Sequence, residues 1–246
     1  MQTVHRALAW ALVAGLVLGG LGLGAWATPM PGSVPVHMQT LQRQAKGKAG
    51  GRYRLVAKVP VVSGLAPVVA TAINKRLAAA CPWTPESFQS VDSMEKGETY
   101  QEDVEGQVTL NGAGLLSVHY QGLGVNTLNG HMNSAHPTKL VRSLTLRLLD
   151  GRVVRLPDLF RKGAPWQAFL SKRVYREFNG GKDTAPPADA PRIGDGEFYL
   201  ARRELVIIFP EAAFAVQGAE VKVPYADLVS LADSQGPLAP FLPARH

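Results

Sequence analysis

Residues 140–156 read LVRSLTLRLLDGRVVRL, and they carry the clearest strand pattern in the chain. On both sides of Asp150-Gly151 apolar residues alternate with polar ones, which is the pattern of strands with one buried face. An Asp-Gly pair supplies the positive φ that a tight two-residue turn requires. The stretch therefore predicts a β-hairpin with arms at 140–149 and 152–156.

Similar alternation predicts further strands outside this hairpin, at 52–62, 99–110, 115–124, 198–201, 204–209 and 220–223. Asn111-Gly112 is the expected turn between the second and third of these. Apolar residues at helical spacing predict two main helices, one from Pro67 to the residues before Pro82 and one from Pro165 to Gly180. Strands outnumber helices and follow one another as hairpins. The expected fold class is α+β, an antiparallel sheet built from hairpins with two main helices packed on it.

The N-terminus predicts export from the cytoplasm. Arg6 precedes a long uncharged run that closes on Ala25-Trp26-Ala27, the small-x-small pattern before a signal-peptidase cut. Residues 1–27 are therefore predicted to be a signal peptide. The alternative is an uncleaved anchor, because about 20 apolar residues span a bilayer. Both readings place the remainder outside the cytoplasm, periplasmic or secreted, with membrane contact only through this segment if it stays uncleaved.

Composition divides the rest of the chain into three parts. Residues 28–51 are rich in Pro, Gly, Gln and Lys and show no apolar period, so we expect a flexible linker. Residues 52–232 carry all the predicted strands and helices and form the expected domain. Residues 233–246 are expected to be a frayed tail.

Positive charge is concentrated in one segment. Between Lys139 and Arg176 there are ten basic and two acidic residues, although the whole chain carries a net charge of only +7. Such a segment indicates either a solvated polar face or a site for a polyanionic partner. The residues expected to bind anions are Arg142, Arg147, Arg155, Arg173 and Arg176. Nucleic acid is not an expected partner, since an exported chain without a reading motif does not suit it.

The motifs of catalysis are sparse. His131 and His136 lie five residues apart in a Gly- and Asn-rich stretch, but zinc sites require three or four ligands at short spacings, so no metal is expected. The chain lacks the Gly-x-Ser-x-Gly elbow and the glycine-rich phosphate loops, and no cofactor is expected. Cys81 is the only cysteine and is predicted to be a buried, inert thiol. These observations favour a protein that is not an enzyme.

Several phrases, taken in their order along the chain, resemble the extracytoplasmic domain of RsiV-type anti-sigma factors. The same domain is appended to peptidoglycan deacetylases (PdaC-like) and occurs in stand-alone exported proteins. The phrases are Val59-Pro60-Val61-Val62-Ser63-Gly64-Leu65, Leu115-Leu116-Ser117-Val118-His119-Tyr120, Ser134-Ala135-His136-Pro137, Leu156-Pro157-Asp158-Leu159-Phe160, Phe198-Tyr199-Leu200 before Leu205-Val206-Ile207-Ile208-Phe209-Pro210, and Val223-Pro224-Tyr225-Ala226-Asp227-Leu228. Asn133-Ser134 stand where the family has two glycines before the histidine that matches His136.

The resemblance implies a sensor or binding role rather than catalysis. We therefore expect a non-catalytic module that recognises an anionic or neutral envelope component, namely a glycan, an anionic polymer or an envelope protein, with His136 and the five arginines as its site. Two alternatives remain open: a periplasmic hydrolase acting on peptidoglycan through His136, and a protein-binding inhibitor. RsiV-type members bind lysozyme, but animal lysozymes are basic like this domain, so we expect no useful affinity here.

Overall fold

The computed structural model describes residues 30–81, 91–133, 137–178, 181, 193, 197–209 and 219–243, which form two sheets with helices packed against them. A six-stranded sheet contains β1 (Val36–Lys46), β2 (Arg52–Val62), β3 (Glu98–Gly112), β4 (Leu115–Leu128), β5 (His131–Met132) and β6 (Thr138–Arg147). A three-stranded sheet contains β7 (Glu197–Leu200), β8 (Glu204–Phe209) and β9 (Ala219–Pro224). The helices are α1 (Pro67–Ala80), α2 (Trp166–Phe178) and α3 (Tyr225–Leu228).

The order of the strands confirms the α+β class. In the large sheet the order is β1-β2-β3-β4-β5, and β6 also pairs with β4. All pairs are antiparallel except β2 and β3, which run parallel because the chain between them passes through α1. The small sheet has the order β7-β8-β9 and is antiparallel throughout.

Each sheet has its own hydrophobic core. Ile73 and Leu77 on α1 are fully buried against the inward-facing residues of β2, and Tyr120 on β4 donates a hydrogen bond to the Leu77 carbonyl over 2.7 Å. Burial of one such aliphatic side chain contributes about 1.5–3 kcal/mol. In the second core Leu170 and Val174 of α2 pack with the residues of β8 and β9. Both main helices are thus held by tertiary packing at the positions where their apolar spacing predicted it.

Cys81 follows α1 and is buried and free, as the sequence predicted. Its burial raises the pKa of the thiol to about 12, so the thiolate is not populated at neutral pH. None of the helices in the described part of the chain is both long and apolar enough to cross a membrane.

The flexible linker expected at 28–51 is wrong for most of its length. Residues 36–46 form β1, which pairs antiparallel with the whole of β2, from Val36 opposite Val62 to Lys46 opposite Arg52. Most side chains of β1 are exposed, so the strand has no apolar alternation to reveal it. Its stability comes from backbone hydrogen bonds to β2 and from partial burial of Leu41 and Ala45 against the first core.

The turn expected at Asn111-Gly112 lies two residues later. Ala113 and Gly114 occupy it, with φ of 52° and 79°, and Gly112 still pairs with Leu115. The Asn111 side chain is used elsewhere, since its amide nitrogen donates to the Val34 carbonyl over 2.7 Å and its oxygen accepts the Val34 N–H over 3.0 Å. A bulge at Val108 and Leu110 also shifts the register of this hairpin.

The hairpin at 140–156 is shorter than predicted. Strand β6 ends at Arg147, and the returning arm pairs through a single bridge between Leu146 and Val153. The Leu148 N–H donates to the Gly114 carbonyl instead of continuing the hairpin, and residues 156–159 turn into a 3-10 helix that contains Pro157. Gly151 has the positive φ expected of the Asp-Gly turn, 70°.

The frayed tail expected at 233–246 is wrong for residues 233–243, which pack against the domain. Leu238 is fully buried in the second core, and Ala239–Phe241 form a 3-10 helix whose Phe241 ring lies 5.6 Å from that of Tyr225. The short helix after β9 and the hairpin β7–β8 are confirmed. The loop predicted between Lys182 and Glu197 falls almost entirely outside the described residues.

Candidate anion-binding groove

Four of the five predicted arginines have partners within the fold. Arg142 on β6 donates to Glu197 over 2.7 Å, and Arg147 makes two hydrogen bonds to the carboxylate of Asp150. On α2 the Arg173 guanidinium lies 3.6 Å from the Asp227 carboxylate. Arg176 donates from Nε to the Gly181 carbonyl over 3.2 Å. Arg147 and Arg155 line the two adjacent depressions described below, whereas Arg142, Arg173 and Arg176 line neither of them. The site predicted from the sequence stays a prediction.

The ion pairs lower the net charge that parts of the basic segment present to a ligand. The pKa of Asp150 is held well below its usual range, chiefly by the Arg147 hydrogen bond and also by the Arg152 N–H. Asp150 is therefore ionised at any physiological pH and offsets much of the Arg147 charge. The pKa of Glu197 is instead raised, because the effect of burial exceeds that of the hydrogen bond and charge of Arg142, which lower it.

Basic side chains do converge on a groove between the turn after β6 and the start of α2, here called the Trp166 groove. It has a volume of about 560 Å³. Its charged lining residues are Arg147, Arg152, Arg161, Lys162, Asp158 and Asp233, and its aromatic lining residues are Phe160 and Trp166. The formal balance among these groups is +2. The volume lies within the range of about 300–1,000 Å³ that is typical of small-ligand sites.

The aromatic wall of the groove is built by residues on either side of Gly163. The rings of Phe160 and Trp166 stack, with 4.9 Å between their centroids and 6° between their planes. Phe160 is buried, whereas Trp166 is half-buried. An aromatic ring beside cations is a suitable surface for a sugar ring that carries an acidic group, because the ring packs against C–H groups while the cations bind the charge.

Two cations of the groove keep their charge available. Arg161 donates a hydrogen bond to the neutral Ser230 carbonyl and has no ion pair with an acid among the residues that the structure describes. Lys162 follows it and is exposed. Both acids in the groove already accept backbone N–H groups, Asp158 from Arg155 over 2.9 Å and Asp233 from Gln235 over 3.0 Å.

Arg155 lines a second, smaller depression, here called the Arg76 groove, of about 430 Å³. Its lining residues are Arg76, Asp150, Arg152, Val153, Arg155 and Asp158. Arg76 comes from α1 and was not predicted, because nothing in the local sequence of a helix reveals which distant turn it will cover. Arg161, Lys162 and Trp166 were also missed, although the run Arg161-Lys162-Gly163-Ala164-Pro165-Trp166 offered a signal in its basic residues next to an aromatic one.

A buried polar cluster joins the two sheets at another place. His119 on β4 is 2% exposed, and its Nδ1 lies 2.9 Å from the Ser143 hydroxyl. Its Nε2 lies 3.5 Å from Glu220 on β9, and Glu220 also accepts a hydrogen bond from Tyr199 over 3.1 Å. Burial lowers the pKa of His119 more than Glu220 raises it, so the ring is neutral. This geometry serves to hold the sheets together.

His131 is the one histidine of the Gly- and Asn-rich stretch that the structure describes. His136 lies outside the described residues, and His131 is exposed on β5. Among the residues that the structure describes, no group of three His, Cys, Asp or Glu side chains could hold a metal ion. Glu102 is buried and accepts a hydrogen bond from Tyr53, whereas Asp103 is exposed, so these adjacent carboxylates lie on opposite faces of β3.

Comparisons with known proteins relate the chain to others by its fold. No family model matches it, and no curated protein matches it. A solved structure of a DUF3298 family member from Bacteroides fragilis is 14% identical with a TM-score of 0.58, over 83% of this chain and 96% of that one. A DUF3298 family protein from Pseudomonas aeruginosa is 16% identical with a TM-score of 0.54, over 86% of this chain and 98% of that one. This chain therefore has a DUF3298-type fold. The resemblance to RsiV-type and PdaC-like domains stays a prediction, because the comparisons do not test it.

Proposed function

We propose that this domain is a non-catalytic module that binds an anionic glycan of the cell envelope in the Trp166 groove. The observation that carries the proposal is the convergence of Arg152, Arg161 and Lys162, beside the Asp150-paired Arg147, on a groove with an aromatic wall. The envelope location rests on the signal peptide predicted for residues 1–27. The hydrolase built on His136 and the protein-binding inhibitor stay predictions.

Charge supplies attraction, and the ring supplies selectivity for sugars. Arg152 and Arg161 carry planar guanidinium groups, which bind carboxylate or phosphate groups through two parallel hydrogen bonds. Because these residues are exposed, their attraction is screened over about 8 Å at physiological salt, so affinity should fall steeply as salt rises. Trp166 gives contact area that does not depend on salt.

Calorimetric titration of the purified protein with polygalacturonate tests the proposal, with its neutral methyl ester and with inorganic polyphosphate as comparison ligands. We expect binding of polygalacturonate, at least tenfold weaker binding of the ester, and at least tenfold weaker binding after Arg161→Gln with Lys162→Gln, a loss of about 1.4 kcal/mol. Trp166→Ala should weaken the polygalacturonate complex but not any polyphosphate complex.

The matched control removes the same charge from another basic groove. Lys46 and Lys96 line a depression with Lys48, Arg52 and Glu98 that has no aromatic residue in its lining. Lys46→Gln with Lys96→Gln should leave the affinity for polygalacturonate within about twofold of the unmodified protein, on the order of 0.4 kcal/mol. If this control lost as much affinity as the Arg161 and Lys162 variant, the result would contradict binding in the Trp166 groove and would indicate the Lys46 depression instead. Equal binding of polygalacturonate and its ester would disprove charge recognition.

A further inference from the structure

The Trp166 groove and the Arg76 groove touch each other. Arg152, Val153 and Asp158 line both of them, so the two depressions are adjacent and share these three residues as a common border. The shared residues belong to the chain just after the Asp150-Gly151 turn and to the 3-10 helix at 156–159. One surface therefore runs from α1, across this turn, to the start of α2.

Arg76 is the residue that extends the surface. It projects from α1 toward the turn, where its Nη1 would lie 3.7 Å from a Cβ placed on Gly151. Ile73 would lie 3.0 Å from the same Cβ, so α1 is packed closely over the turn, and Ile73 is fully buried there. The core beneath α1 thus holds the backbone at Arg76 over the turn, and the Arg76 side chain is exposed there.

Charge continues along the combined surface. Its cations are Arg76, Arg155, Arg152, Arg147, Arg161 and Lys162, and its acids are Asp150, Asp158 and Asp233. The formal excess is three positive charges, one more than the Trp166 groove has alone. Each groove has the volume of a small-ligand site, about 560 Å³ and about 430 Å³, so a small anion held in one would leave the other empty.

We infer that the ligand is an extended polyanion that occupies both grooves at once, with Arg152 between them, rather than a single acidic sugar or a free phosphate. This inference rests on the proposed function and specifies its ligand. Contact with the second groove becomes intramolecular once the first is occupied, so affinity should rise in a step when the chain is long enough to reach Arg76. A ligand confined to the Trp166 groove would give no such step.

Defined oligogalacturonates, from the dimer to chains of about ten units, test the inference by calorimetry on the whole protein, with the step expected to reach about tenfold or more in affinity. Arg76→Gln should abolish the step while leaving the shortest binding oligomer unchanged. Lys75→Gln is the matched control, because it removes the same charge from the neighbouring exposed position of α1, outside both grooves. It should keep the step.

The outcomes separate the two proposals. If no oligomer binds, the proposed function fails. If oligomers bind with an affinity that rises smoothly with length, or if Arg76→Gln and Lys75→Gln weaken the long chains equally, the function stands and the two-groove inference is overturned. A circular dichroism spectrum of Arg76→Gln that matches the unmodified protein shows that α1 is intact, so a changed length dependence then reports on binding.

Discussion

Ser117 links the two sheets, and its replacement by alanine gives a stability prediction that follows directly from the hydrogen bonds. The residue lies on β4 and is fully buried. Its Oγ accepts the N–H of Leu200 on β7 over 3.0 Å and lies 2.8 Å from the hydroxyl of Thr145 on β6. Since Leu200 is itself fully buried, water cannot replace the lost partner without opening the contact between the sheets.

The cost of Ser117→Ala follows from the groups that it leaves without partners. A buried donor or acceptor left unsatisfied costs about 1–3 kcal/mol. Two such groups arise, the Leu200 N–H and the Thr145 hydroxyl, so we expect the free energy of unfolding to fall by about 2–6 kcal/mol. Thr145→Val alone removes one hydrogen bond but leaves Ser117 bonded to Leu200, and should cost about 0.5–1.5 kcal/mol.

A double-mutant cycle makes the reasoning refutable. In the Ser117→Ala background, Thr145→Val removes the orphaned hydroxyl, so it should cost nothing or restore stability, giving a coupling energy of about 1–2 kcal/mol. Urea unfolding followed by tryptophan fluorescence and circular dichroism supplies the four free energies. A fall in the free energy of unfolding below about 0.5 kcal/mol for Ser117→Ala would show that the Ser117 hydroxyl does not connect the sheets. Additive effects of Ser117→Ala and Thr145→Val in the double variant would show the same.

Three further predictions concern pH, processing and partner choice. Burial lowers the pKa of His119 below its usual value of 6.5, so the unfolded chain binds the proton more readily than the folded one. The stability that neutral His119 contributes is therefore complete above about pH 6.5. It is lost as the pH falls from that value toward the lower pKa of the folded protein. Urea unfolding at about pH 7.5 and about pH 5.5 should show a smaller loss of stability for His119→Gln than for the unmodified protein, and equal losses would contradict the assignment. The mature protein should begin at Thr28, after Ala25-Trp26-Ala27, and an intact mass that still includes residues 1–27 would indicate an anchor instead. Calorimetric titration with a basic animal lysozyme at low salt should detect no submicromolar complex, because the net charge of this chain is +7 and like charges oppose association; a submicromolar dissociation constant would overturn that charge argument.

Elements that local interactions stabilise could be predicted from the amino-acid sequence. Helices α1 and α2 lie where Pro67 and Pro165 and the apolar spacing placed them, because a period of 3.6 residues and a helix start are encoded within a few turns of chain. The hairpin β7–β8 and strand β9 followed from alternation in the same way. The basic composition of residues 139–176 was also evident, together with the expectation that it interacts with anions.

Which residues lie close together depends on long-range packing and could not be predicted from local sequence. The sequence of strand β1 shows no alternation of apolar and polar residues. The strand forms because its backbone pairs with β2 along its whole length. Arg173 meets Asp227, and Arg76 lies over Gly151, because helices and turns distant in sequence pack against the same cores. Whether a basic residue forms an internal ion pair or faces a groove depends on such long-range packing, which local periodicity does not encode. The sequence therefore predicted an anionic or neutral partner, and long-range packing decided which cations line the proposed groove.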